Sequence, residues 1–328
     1  MLKLQIVILL LCSACELVQS KLLVVHLLFR HGEKTPDNFM MLPEDPYRND
    51  FFHPYGPSAL TNEGKRTMYN LGKTFRKRYD KFLGDIYTPH ILDAWTSSFE
   101  RCHTSLQLVL ASIFPPKDLL IWDEAVHWQP IAYKSLLRKD DTMFLGALRR
   151  DFEEIYKAYY LKGEGKVITE EIQPILSYVR MHTNATMETL RNLITIQIVW
   201  SAEDEYGLVL PEWSKKIYPQ PLNDLVLKDF QLEMATKELA RKAVGQLVRK
   251  ILKDSENYLN DKSNYKLHLY SAHDFTIACV MIFFNMTYAS HAGYGASLAI
   301  ELHEENGTYF FEVNLVFPVA LLYIDISP

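Results

Sequence analysis

A short apolar run, Leu22 to Phe29, breaks off into Arg30-His31-Gly32-Glu33-Lys34-Thr35-Pro36. The run is too short for a buried helix and rich enough in β-forming residues to predict a strand buried on both faces. Such a strand delivers a guanidinium, an imidazole, a glycine and an ammonium into a turn closed by proline. Open α/β sheets bind ligands at the carboxyl ends of their strands. An Arg, a His and a Lys arriving together at that rim predict a site for an anion.

The rest of the chain supplies a sheet for that strand. Thr61 is placed to cap a helix in which Met68, Leu71, Phe75, Tyr79 and Phe82 form one apolar stripe. His90 to Ser97 predicts a second strand, and Phe99 to Phe114 a helix stopped by Pro115-Pro116. Strand, helix, strand, helix in this order points to a parallel sheet covered by helices. Residues 122–221 change character, with helical patterns around Leu145–Tyr160 and Thr186–Trp200 and loops at Gly163-Glu164-Gly165 and Tyr218-Pro219-Gln220-Pro221. A helix from about Asp229 to Tyr258, a strand from Tyr265 to Ser271, a helix from Phe275 to Phe284 and a hairpin of Ser297–Leu302 with Tyr309–Val316 across Asn306-Gly307 complete the reading. The expected class is α/β, a parallel-rich central sheet flanked by helices, with a smaller, mainly helical inserted domain. The division expected is 1–20 as signal peptide, 21–121 with 222–328 as the α/β domain, and 122–221 as the insertion. The loop from Asp37 to Pro57, rich in proline and aromatic residues, reads equally as a site lining or as a surface loop packed by its own rings.

Composition narrows the partners. At 328 residues, 48% hydrophobic, 23% charged and with a formal net charge of −5, the chain has an ordinary globular make-up and no long basic run to suggest nucleic acid. The densest basic stretch, Arg76-Lys77-Arg78, fits a solvated helix face. Lys3, the apolar Leu4–Leu11 and small residues up to Ser20 make a secretory signal, with cleavage after Ser20. Cys12 and Cys15 fall inside that segment, which leaves Cys102 and Cys279, two cysteines whose pairing the sequence leaves open. The sequons at Asn184, Asn285 and Asn306 fit a secreted or lumenal glycoprotein. No later apolar run is long enough to span a bilayer.

His273-Asp274 is the second feature with chemistry in it. The dipeptide alone carries little, and a lone buried histidine is more often a satisfied core residue. Its position changes the weighing: like Arg30-His31, it falls where a predicted strand ends and a helix begins, so both pairs face one rim. A phosphomonoester dianion repels nucleophiles until cations neutralise its oxygens, a neutral imidazole can attack phosphorus, and a protonated carboxyl can protonate the leaving alcohol.

The stretch Arg30-His31-Gly32-Glu33-Lys34-Thr35-Pro36 resembles the R-H-G-x-R-x-P signature of the histidine acid phosphatases, with Lys34 at the one departing position. Ser271-Ala272-His273-Asp274 resembles the family's second motif, and Ser105–Leu110 with Trp128-Gln129-Pro130-Ile131 resembles the insect venom and secreted members. The resemblance covers Lys21 to Val316. It implies His31 as nucleophile, Arg30, Lys34 and His273 as phosphate-binding residues, Asp274 as proton donor, and no cofactor or metal. It also implies a phosphomonoester substrate and a secreted location, with the lysosomal lumen as the alternative, and leaves a homodimer open. The family's R-S-x-x-x-x-R, aligned through Arg101, sets Trp95 where the first arginine stands. Six residues of helix would carry Arg101 about 9 Å along the axis, so Arg101 is expected to be structural. With Lys34 and Trp95 in place of clamp arginines, a slowed acid phosphatase is expected. The competing expectation is a secreted binding protein or venom component that keeps the fold.

Overall fold

A computed structural model describes residues 20–286 and 292–316. Apart from Ser20, the expected signal segment lies outside the described residues, as do Cys12 and Cys15. Strand β1 (Lys21–Arg30) is buried from Leu23 onward. Its side chains alternate between two cores: Val25, Leu27 and Phe29 enter one apolar cluster, Val24 and Leu28 the other. Burial on both faces is what an unbroken apolar strand requires.

The other strands are β2 (Leu92–Thr96), β3 (Lys134–Ser135), β4 (Leu267–Ala272), β5 (Ser297–Glu305) and β6 (Thr308–Val316). They form one mixed sheet in the order β3-β2-β4-β1-β5-β6. β1, β2, β3 and β4 run parallel, whereas β5 and β6 are antiparallel. The hairpin turns through Asn306 (φ 51°) and Gly307 (φ 77°), both positive, as a tight two-residue connection demands. In the parallel register Arg30 lies opposite Ala272 and Thr96 opposite Ser271. Three strand ends therefore open on one rim, where His31, Ser97 and His273 follow.

Helices α1 (Asn62–Leu83) and α2 (Glu100–Ile113) cover one face. The Thr61 hydroxyl caps α1 by accepting from the Gly64 amide, and Gly72 lets the two helices touch. The other face carries α3 (Arg150–Tyr160), α4 (Gly163–His182), α5 (Leu190–Tyr206), α6 (Leu222–Glu233), α7 (Lys237–Ala243), α8 (Gly245–Leu259) and α9 (Asp274–Phe283). One continuous apolar cluster joins these helices to the sheet, from Val24 and Leu28 to Phe152, Leu193 and Trp200.

Two expectations are corrected. The long helix from Asp229 to Tyr258 is three helices, because the Thr236 hydroxyl caps α7 afresh, accepting from the Leu239 amide at 3.2 Å. Gly163-Glu164-Gly165 opens α4 rather than a loop. Gly165 is a packing glycine there, since a Cβ would stand 2.1 Å from the Tyr160 carbonyl oxygen. The two-residue edge strand β3 is too short to leave a pattern in the sequence.

Candidate active site

His31 leaves β1 buried, and its Nδ1 lies 2.9 Å from the Gly32 carbonyl oxygen, which fixes the proton on that nitrogen. Nε2 is left with its lone pair, accepting a hydrogen bond from Arg101 Nε at 3.0 Å. Burial, and then the Arg101 and Arg30 guanidiniums, hold the imidazole pKa well below its ordinary range. His31 is therefore held toward its neutral form at neutral pH. Gly32 cannot be larger: a Cβ would stand 2.5 Å from the Gly64 carbonyl oxygen at the start of α1. Its amide donates to Ser105 Oγ on α2 at 3.2 Å. Glu33 is half-buried, and its Oε1 accepts from the Thr67 hydroxyl on α1 at 3.1 Å.

His273 and Asp274 stand where β4 passes into α9. His273 Nε2 lies 2.9 Å from Ser97 Oγ, and burial together with Arg101 pushes its pKa down to about 3. Its ring meets His31 edge-on, centroids 5.5 Å apart. Asp274 is ion-paired to Arg30, Oδ2 to Nη2 at 3.2 Å. Arg30 also donates to the Ala292 carbonyl, and its guanidinium lies 4.1 Å from the centre of the Tyr294 ring. The sequence-predicted Arg30, His31, His273 and Asp274 thus come together at one rim.

Lys34 is also buried there, but engaged. Its ammonium meets Asp37 Oδ2 at 2.6 Å, with both side chains about 5% exposed. Burial lowers the Lys34 pKa. The Asp37 carboxyl, which burial alone would raise, is brought below its usual value by Lys34 and Arg101. In the loop from Asp37 to Pro57, Asp37 faces the site, while Phe52 is buried against Tyr206 of α5 rather than against the loop's own rings.

Arg101 does not stand where helical spacing was expected to carry it. Residues 97–99 turn rather than continue as helix, so α2 starts only at Glu100 and Arg101 points back across the strand ends. Besides reaching His31, it donates through Nη1 to Ser58 Oγ at 2.7 Å. A signal existed in the sequence. A cation in the first turn of a helix opposes the helix dipole, and such a cost implies another demand on the residue. Trp95 points elsewhere. Its indole donates to Asp93 at 2.9 Å, with the Lys134 and Lys250 ammoniums over the ring. Ser58, Ser97, Asp37 and Tyr294 had no legible signal, because each acquires its partner only through folding.

Cys102 and Cys279 are both buried free thiols. Cys102 lies against His273, its pKa pushed up to about 12 by burial. Asn184, Asn285 and Asn306 are all exposed. No helix among the described residues is long and apolar enough to cross a membrane.

The sequence pattern of the histidine phosphatase superfamily (branch 2) matches residues 21–316. This chain belongs to that family. It is 33% identical to the venom acid phosphatase of Apis mellifera over 90% of this chain and 77% of that protein. It is 28% identical to human prostatic acid phosphatase (91% and 78% covered) and 28% identical to the lysosomal acid phosphatase of Rattus norvegicus (88% and 69% covered). Among solved structures, the Hafnia alvei phytase bound to myo-inositol hexakis sulphate shares the fold, with a TM-score of 0.66 at 18% identity over 92% of this chain and 85% of that one. The curated relatives are acid phosphatases, which supports phosphatase activity for this member of the family, and they include both venom and lysosomal proteins.

Proposed function

We propose that this protein is an acid phosphatase that hydrolyses phosphate monoesters through a phosphohistidine on His31. The observation that carries the reading is the unprotonated Nε2 of a buried histidine set between two guanidiniums. Arg30 and Arg101 bind the phosphoryl oxygens, and His273 and Ser97 close the cradle. The dianion takes over Arg30, so Asp274 loses its cation and faces a like charge. Both changes favour its protonated form. His31 Nε2 then attacks phosphorus, the bond to the ester oxygen breaks, and Asp274 gives its proton to the departing alkoxide. In the second half, water gives a proton to Asp274 and attacks the phosphohistidine. Inorganic phosphate leaves and neutral His31 returns.

Lys34 supports this cycle less than an arginine would. It lacks the bidentate fork and shares its charge with Asp37, so the reduced rate falls to Lys34 alone, with Arg101 standing as the third cation. We further propose a secreted or lysosomal glycoprotein carrying sugar on Asn184, Asn285 and Asn306, in which 122–221 is a helical insertion bordering the site. The deciding test is hydrolysis of an aryl phosphate from pH ~4 to 8, where a protonated acid matters, with His31→Ala purified alongside. The expected result is an acid optimum that disappears in the variant. Equal background from both folded proteins would leave the binding-protein alternative in its place.

A further inference from the structure

The wall of the site on the α2 side is a single aromatic ring with charge on it. Phe99 sets its ring edge-on to His273, with centroids 5.1 Å apart. The Arg101 guanidinium lies 4.4 Å from the ring centre, and the Arg138 guanidinium lies 4.7 Å from the same centre. The Arg30, Arg101 and His273 groups face inward, whereas Arg138 is exposed, in the short turn Arg138–Asp140. The two guanidiniums that share the ring are separated by no more than one ring and its two contacts.

Arg138 also opens the next hollow. A cavity of about 450 Å³ is lined by Arg138, Lys139, Arg149 and Arg150, with Leu145 and Leu148. Its acids are already engaged. Asp151 is paired with Arg149 at 3.1 Å and with Lys242 at 2.6 Å, and Glu154 with Arg150 at 3.1 Å. Among the described residues no carboxylate stands within ion-pair distance of Arg138 or Lys139. In a chain of net charge −5, a hollow with two cations in excess beside an anion site is a local reversal of sign.

We infer that Arg138, with Lys139, forms a second anion subsite that receives the far end of the leaving group, so that the preferred substrates are phosphomonoesters carrying a second phosphate. This rests on the phosphatase reading. While Arg30 and Arg101 hold the phosphoryl group on His31, the leaving alcohol must exit past Phe99 or Asp274, and on the Phe99 side the next donor it meets is the Arg138 fork, which suits a phosphate oxygen pair. The substrate's second charge is thereby read outside the reacting cradle.

The test compares a matched pair of esters, hexane-1,6-diol bisphosphate and 6-hydroxyhexyl phosphate, at low ionic strength, in the parent and in Arg138→Gln. Counted per reactive phosphate, because the bisphosphate has two equivalent ends, the expected ratio of kcat/KM favours the bisphosphate by about threefold to fivefold, the range of a partly exposed ion pair, and falls to about one in the variant. A ratio of one in the parent, or a ratio unaltered in Arg138→Gln, would overturn the subsite. So would an equal loss on both esters, because that is what disturbance of Phe99 and Arg101 alone would do. Binding of the two esters to His31→Ala, with and without Arg138→Gln, is measured by calorimetry alongside. If neither ester is turned over by the parent, the hydrolase reading fails by itself, and the same binding ratio, tighter for the bisphosphate only while Arg138 is present, still decides for or against the subsite.

Discussion

Arg101 is the residue on which the proposed chemistry turns. Its Nε meets His31 Nε2 and its Nη1 meets Ser58, whose positive φ of 60° is a backbone cost accepted to hold that hydroxyl in place. In the proposed cycle a guanidinium held on His31 Nε2 in a buried setting acts mainly on the transition state, where charge spreads over the phosphoryl oxygens. Arg101→Ala is therefore expected to lower kcat/KM by about 10²–10³, the loss typical of one transition-state donor, with Arg101→Lys falling between. Trp95→Phe is expected to remain within a few-fold of the parent, since the indole serves Asp93. Aryl phosphate hydrolysis by the three purified variants checks both statements, and the reverse ranking would return Trp95 to the site.

Packing of the signature loop and of α1 on α2 is a matter of missing side chains. Gly32 and Gly64 face one another at backbone distance, and a Cβ on Gly72 would stand 1.9 Å from Ser112 Oγ and 2.6 Å from the Val109 carbonyl oxygen. The backbone neighbour cannot yield as a side chain can. Gly72→Ala should thus lower stability by about 1–3 kcal/mol, the usual cost of overpacking, through separation of α1 from α2. Gly245, in the first turn of α8, is the control: the nearest atom to its Cβ would be Arg241 Cγ at 3.4 Å, and Gly245→Ala should be neutral or stabilising by up to about 1 kcal/mol. Urea midpoints for the two variants measure the contrast. Equal effects would show that the α1–α2 crossing can relax. Both helices were legible from their apolar stripes, but the closeness of their crossing was not. Nothing in the spacing of Met68, Leu71 and Phe75 says which glycine a neighbouring helix will touch.

Three histidines, His26, His31 and His273, are buried in the neutral form, and this shapes the stability of the whole molecule. His26 lies in mid-sheet, Nε2 at 2.9 Å from Ser255 Oγ and its ring stacked on His268 at 4.4 Å. Burial, then His268 and Lys250, holds its pKa well below the ordinary value. Below pH ~6.5 the unfolded chain takes up a proton that the folded chain refuses, so stability rises with pH across that window and is lost as pH falls toward the folded pKa. Each such histidine contributes a slope of about 1.4 kcal/mol per pH unit. Glu203 and Glu233 oppose them. Each is raised to about 8, chiefly by burial, so each favours the folded state more as pH falls from about 8 toward 4.5. His26→Gln isolates one contribution: the difference in unfolding free energy between pH 5 and pH 6.5 should shift by about 2 kcal/mol relative to the parent, in favour of the acid side. An unchanged difference would mean that His26 is protonated in the folded protein.

The sequence by itself determined the order of the longer strands β1, β2, β4, β5 and β6, the burial of the first strand and the two motifs at strand ends. These are local facts, set by apolar period and by what can follow a strand. It also determined that Arg30, His31, His273 and Asp274 would share a rim, because parallel strands have all their carboxyl ends on one side. Only the tertiary structure decided that Arg101 reaches His31 and Ser58, that Lys34 is bound to Asp37, and that Trp95 belongs to the Asp93 network. The first two depend on where a turn of two or three residues aims a long side chain, and the third on which neighbours a strand residue meets across the sheet. Such a direction is fixed by contacts between segments far apart in the chain, and those contacts leave no period in the sequence from which to read them.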